Sequence, residues 1–151
     1  MSSSLVRIRR RFAVLLIAGM AGGLLGAASG AQAQTLTGAA AQKSAQADVF
    51  IAYENALIDG GLAAADKYIT QAKRDEFKQM IDSFGMDGFK QMQAEKRRTR
   101  VAPAERRKSI QKVEISGDYA YLEAATERKG VLDIAGFQKT AEGWKVAPVR
   151  S

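Results

Sequence analysis

The chain has 151 residues, with 23 basic and 16 acidic side chains and a net charge of +7 at pH 7. It contains no cysteine and no histidine, which excludes disulfides, tetrahedral zinc sites and the common histidine-dependent catalytic triads. No glycine-rich phosphate loop is present either, so we predict no metal site and no cofactor.

The N-terminus has the pattern of a cleavable secretory signal peptide. Four arginines at positions 7–11 precede an apolar stretch over residues 12–25, and Ala31-Gln32-Ala33 supplies the small residues that a signal peptidase accepts. The alternative is a membrane anchor, but the apolar stretch is shorter than the roughly 20 residues that span a bilayer. We predict that residues 1–33 are removed between Ala33 and Gln34. The absence of a lipid-accepting cysteine then predicts a periplasmic or secreted product.

Removal of the signal peptide changes the charge balance. Its four arginines leave with it, so the remaining chain carries 19 basic residues and a net charge of +3. This modest charge does not favour a nucleic-acid partner. Residues 34–47 are mainly Ala, Gln, Thr and Ser, a composition that predicts a flexible leader. Residues 48–151 are then expected to form a single domain.

Two periodicities divide this domain. Helical spacing of apolar residues predicts four short helices over about 48–59, 62–69, 73–84 and 87–97, with stops at Gly60-Gly61 and Gly85. After Pro103 the period becomes two and predicts four strands over 109–115, 119–126, 131–139 and 144–149. The short connections predict an antiparallel meander. We therefore expect an α+β fold in which N-terminal helices pack on a curved, four-stranded, cone-like sheet.

Both faces of the third predicted strand carry apolar side chains. Ala135 and Phe137 point to one side, and Leu132 and Ile134 to the other. One face should carry the helices, so the other needs a second cover. We expect a homodimer formed through the sheet.

The order of these motifs carries a family resemblance. The end of helix one (residues 53–60), the hairpin at 113–121 and the closing Glu142-Gly143-Trp144-Lys145-Val146 resemble small exported members of the NTF2-like (cystatin-like, α+β cone) superfamily. The resemblance extends over residues 48–149 and implies a pocket between sheet and helices. Gly61 departs from the pattern, because many members place an acidic residue directly after the glycine that ends helix one.

Five polar or aromatic side chains are candidates for lining that pocket: Tyr53, Asp66, Tyr68, Tyr121 and Trp144. Each also has a simpler explanation, since Tyr53 and Trp144 suit a core and Asp66 suits a solvated helix surface. Asp66 with a tyrosine partner would be the candidate acid/base pair of an enzyme.

Residues 90–112 contain nine basic and two acidic side chains. The basic patch within this segment comprises Lys96, Arg97, Arg98, Arg100, Arg106, Arg107 and Lys108. Such a patch could dock on an acidic protein, a glycan or a lipid surface, or it could be a solvated linker.

These observations predict an exported, non-enzymatic module that binds a small molecule or acts as a scaffold. Two alternatives remain: an acid/base isomerase or hydrolase on the same fold, and a protein that docks on acidic partners through its basic patch.

Overall fold

The computed structural model describes residues 32–150. In chain order the elements are β1 (Gln34–Thr37), α1 (Gly38–Gln42), α2 (Ala45–Ala65), a 3₁₀ turn (Asp66–Tyr68), α3 (Gln71–Arg98), α4 (Pro103–Lys108), β2 (Ile110–Ser116), β3 (Tyr119–Ala125), β4 (Leu132–Thr140) and β5 (Gly143–Ala147). The predicted signal peptide, up to residue 31, lies outside the described residues.

The strands form one antiparallel sheet in the order β1-β2-β3-β4-β5. The predicted α+β class and the antiparallel meander are confirmed, and β2 to β5 correspond to the four predicted strands. The prediction of four strands is wrong, since the sheet formed within residues 32–150 has five, and the helices do not all precede the strands in the chain. β1 precedes them, and Leu36 of β1 lies opposite Val113 of β2.

β1 and α1 occupy residues that the sequence analysis assigned to a flexible leader. The prediction of a flexible leader is wrong because a strand that joins an existing sheet gains backbone hydrogen bonds and does not need a core of its own. Two small residues, Ala41 and Ala47, are fully buried, and Leu36 packs against the core. The Ser44 hydroxyl accepts a hydrogen bond from Ala47 N at 3.1 Å, so Ser44 caps α2.

Glycines interrupt the two long helices where the sequence predicts stops. Gly61 in α2 has φ 71° and ψ −161°, and Gly85 in α3 has φ 78° and ψ 159°. This backbone region is open almost only to glycine. The interruption at Gly61 leaves helix carbonyls without their usual donors, and α3 supplies replacements: Gln93 Nε2 donates to Leu57 O at 3.0 Å and Arg97 Nη2 to Ile58 O at 2.8 Å.

The core lies between the helices and one face of the sheet. Buried side chains on this inner face alternate along β3 as Ala120, Leu122 and Ala124. Phe137 of β4 lies opposite Ala120 and Val146 and is fully buried. The opposite, outer face carries Tyr121 and Glu123 of β3 together with Ile134 of β4. Alternating burial along β3, together with the register of its pairing with β4, assigns the side chains of both strands to a face.

We expect Gly85→Ala to lower the free energy of unfolding by about 1–3 kcal/mol. A Cβ at this position would meet no atom within 4 Å, so the whole cost is backbone conformation. Gly88→Ala is the matched control in the same helix, because its added Cβ would make an ordinary contact of 3.5 Å with Phe84. Gly88→Ala should raise stability by about 0.4–1 kcal/mol. Urea unfolding checks both, and equal effects of the two variants would refute the assigned backbone conformation.

Candidate functional site

The five candidate pocket residues do not converge on one cavity. Tyr53 is buried in the core, and burial raises the pKa of its phenol, so the hydroxyl stays neutral. Tyr121 lies on the outer face of the sheet, opposite Glu114, and Lys112 Nζ lies 5.4 Å from the centre of its ring. Tyr53 and Tyr121 thus belong to separate layers of the fold.

Tyr68 and Trp144 do lie together. With Val49, Lys67 and Lys145 they line a groove of about 480 Å³ beside β5, and both rings pack against the edge of the core. Lys67 Nζ lies 5.0 Å from the centre of the Tyr68 ring. Of the candidate set, this pair alone shares a groove within residues 32–150.

Asp66 is held by Arg74 at the start of the 3₁₀ turn. Arg74 donates from Nε to Asp66 Oδ1 and from Nη2 to Asp66 Oδ2, and Nη2 also reaches Asp66 O at 3.1 Å. The hydrogen bond from Arg74 lowers the pKa of the Asp66 carboxyl. A carboxylate with a lowered pKa is a weaker proton acceptor, which disfavours Asp66 as a general base.

Most of the basic patch contacts the rest of the fold. Three of its seven members pair with carboxylates of α2: Arg100 with Asp59, Arg106 with Glu54 and Arg107 with Asp48. Three more contact a carbonyl of α2 or an acid within their own segment: Arg97 with Ile58 O, Arg98 with Glu95 and Lys108 with Glu105. The patch therefore joins α4 and the end of α3 to α2.

Arg106 is the centre of these contacts. Its Nε and Nη2 donate to the two oxygens of Glu54, each at 2.8 Å, and Nη2 also donates to Asp133 Oδ2 at 2.7 Å. Nη1 reaches Ala125 O at 3.3 Å. The guanidinium carbon lies 5.0 Å from the centre of the Phe50 ring. Arg106 thereby connects α4, α2 and the start of β4, and its carboxylate partners raise its already high pKa.

An open cleft of about 660 Å³ lies above this network. It is bounded by α2, the end of α3, α4 and the turn between β3 and β4. Its walls combine aliphatic and charged side chains, including Ile51, Ile58, Val101, Val131, Glu54, Asp133, Lys96, Arg100, Arg106 and Arg128. None of the five candidate pocket residues lines it.

Glu54 and Asp133 were not among the site residues predicted from the sequence. One signal was present: Asp133 is the acidic residue in the otherwise apolar run from Val131 to Ala135. It lies opposite Ala124, on the face that the helices cover. A carboxylate at an inward position of an apolar strand indicates a fixed partner, which here is Arg106.

The fold and the cleft define an α+β domain with helices on one face of an antiparallel sheet and an open cavity at one end. No protein-family model, curated protein or solved structure matches the chain. Over residues 32–150, no helix has the length and apolar composition needed to cross a membrane, and no cluster of three or more acidic side chains is arranged to hold a metal ion.

Proposed function

We propose that this protein is an exported, non-enzymatic binding module of NTF2-like, cone-shaped type, and that its ligand site is the cleft above Arg106. The observation that carries the proposal is the cleft itself. Its volume of about 660 Å³ lies within the range of small-molecule sites, and it combines aliphatic walls with polar groups fixed by the fold. Export rests on the arginine-led apolar stretch and the Ala31-Gln32-Ala33 motif.

Binding is favoured over acid/base catalysis by the state of the candidate groups. Asp66 is an exposed carboxylate paired with Arg74, and Tyr53 is a buried phenol whose pKa is raised. The pKa of each of these two groups is shifted away from the neutral range in which an acid/base pair works best. An isomerase or hydrolase would need other residues.

Docking through the basic patch is likewise less favoured. Arg100, Arg106 and Arg107 already pair with carboxylates of α2. Guanidinium groups held by internal partners have fewer free donors for an acidic protein, a glycan or a lipid surface. Lys96, for which no ion pair is found among residues 32–150, is the patch member best placed for such a contact.

A homodimer through the outer face of the sheet is the second part of the proposal. Leu132 and Ile134 point to this face, and 41% and 52% of their surfaces are exposed. Adjacent exposed aliphatic residues on a sheet are a common feature of subunit interfaces.

Native mass spectrometry of the protein purified from its own compartment tests these proposals together. The chain mass is expected to correspond to cleavage between Ala33 and Gln34, the complex mass to a dimer, and an excess mass to a bound small molecule. Val131→Trp should abolish the excess mass, because Val131 lines the cleft and is largely exposed. Val149→Trp is the matched control, since Val149 is also exposed but does not line the cleft. Loss of ligand from both variants, or from neither, would refute the cleft as the site.

A further inference from the structure

The lining of the cleft lacks the strong positive charge of the segment that forms much of its wall. Residues 90–112 carry nine basic and two acidic side chains. The cleft, in contrast, is lined by five carboxylates and four cationic side chains. Acidic residues of α2, of β4 and of the turn before it offset the positive charge of the segment. A ligand entering the cleft therefore does not meet the positive field that the sequence suggests.

The cationic group at the base of the cleft has no free donor. Each of the five N–H groups of Arg106 has an acceptor within 3.5 Å: Glu54 takes two, Asp133 takes one, and Ala125 O and Ser109 Oγ take the other two. An arginine with all its donors occupied is not available to bind an anionic ligand.

The carboxylates beside Arg106 retain acceptor capacity. Arg106 carries one positive charge against the two negative charges of Glu54 and Asp133, so the group has a net charge of −1. Asp133 Oδ1 receives no hydrogen bond from a residue in 32–150, and the side chain is 54% exposed at the cleft. A carboxylate oxygen with free lone pairs accepts hydrogen bonds from ammonium groups.

Of the six other charged side chains that line the cleft, three are compensated. Arg100, Glu95 and Glu105 each pair with an oppositely charged side chain outside the lining. Lys96, Arg128 and Glu127 form no ion pair with a residue in the described range. Lys96 and Arg128 are the competing site for an anion.

Aliphatic side chains lie in the same cleft as the free carboxylate oxygen. Ile51 and Ile58 come from α2, Val101 follows α3, and Val131 precedes Asp133 by two residues. An apolar chain a few carbons long could cover these side chains while its charged end reaches Asp133. Such burial contributes up to about 0.8 kcal/mol per methylene group, which corresponds to about fourfold in affinity.

Building on the proposed function, we propose that the cleft binds a small organic cation, a protonated amine with an aliphatic stem. The ammonium group donates to Asp133 Oδ1, next to the Arg106 network, and the stem lies on Ile51, Ile58 and Val131.

An NMR titration of the purified protein at pH 7 tests whether the cleft binds a protonated amine. The probes are n-hexylammonium chloride, methylammonium chloride and sodium hexanoate, of which the first two are positively charged at this pH. Hexylammonium should shift the amide signals of residues 54–58 and 131–133, and methylammonium should bind at least about fivefold more weakly. Hexanoate should leave these signals unchanged.

Asp133→Asn should weaken hexylammonium binding about fivefold, because it removes the net negative charge and keeps the shape of the side chain. Glu54 still holds Arg106 through two hydrogen bonds in this variant, so the fold is retained. Asp118→Asn, in the turn between β2 and β3, is the matched control and should bind as the unchanged protein does.

The outcomes separate this inference from the proposed function. If hexanoate binds at Lys96 and Arg128 and hexylammonium does not, the cationic class is wrong. It is also wrong if a co-purified ligand mapped to the cleft lacks an amine, although the cleft then remains the binding site. Absence of any co-purified ligand, together with no response to the three probes, contradicts both proposals.

Discussion

Replacing Arg106 with methionine is expected to lower the free energy of unfolding by about 3 kcal/mol. The Arg106 side chain is only 15% exposed, and Glu54, its bidentate partner on α2, is 22% exposed. Methionine fills much of the space but leaves the Glu54 carboxylate without its counter-charge in a largely enclosed position. Urea-induced unfolding followed by circular dichroism measures the loss.

Arg98→Met is the matched control for this prediction. Arg98 belongs to the same basic patch, but it is 77% exposed and pairs only with Glu95, three residues earlier. Exposed pairs of this kind contribute less than about 1 kcal/mol. The double variant Arg106→Met, Glu54→Met should recover part of the lost stability, since it removes the uncompensated charge. If Arg106→Met and Arg98→Met behave alike, the patch is a solvated surface and the network around Arg106 contributes nothing.

Replacing Phe137 with alanine should be still more destabilising, by about 4 kcal/mol. Phe137 is fully buried on the inner face of β4, between Ala120 and Val146 of the neighbouring strands. Two of its nearest cross-strand neighbours are small or branched, so they cannot expand into the space that the ring leaves. Thermal and urea unfolding both report the change.

Gln138→Ala provides the control for Phe137, one residue along the same strand. Gln138 is exposed and points to the outer face, opposite Tyr119. Its replacement should change stability by less than about 0.5 kcal/mol. A large effect of Gln138→Ala with a small effect of Phe137→Ala would mean that the register of β4 is shifted by one residue.

The sheet was the more predictable half of the fold. Strands β2 to β5 each carry several apolar residues and are separated by turn-forming clusters such as Ser116-Gly117-Asp118, so local sequence is enough to define them. β1 could not be found in this way. Gln34-Thr35-Leu36-Thr37 contains one aliphatic residue, and its strand conformation depends on pairing with β2, far along the chain.

The helix interruptions were also readable from the sequence, because glycine is the residue that the positive φ at positions 61 and 85 requires. α4 was not predicted. Its sequence, Pro-Ala-Glu-Arg-Arg-Lys, has no apolar stripe, and the helix is instead held through the contacts of Arg106 and Arg107. Ionic contacts across the fold leave no periodic signal in the sequence.

The candidate site was the least predictable feature. Glu54, Arg106 and Asp133 lie in three separate segments, and only the folded chain brings them together. The predicted pocket residues were mainly aromatic, because aromatic side chains often line pockets. In the structure Tyr53 belongs to the core and Tyr121 to the outer face, since period and burial, rather than residue type, decide which way a side chain points.

The position of β1 in the sheet bears on the order in which the strands pair during folding. Gln34 pairs with Ile115, and Thr37 with Lys112, so β1, the first strand of residues 32–150, cannot form its hydrogen bonds until β2 is present. Closing such a long loop carries an entropic cost, so this pairing forms after the local hairpins. We therefore expect β1 to be the last strand to join the sheet.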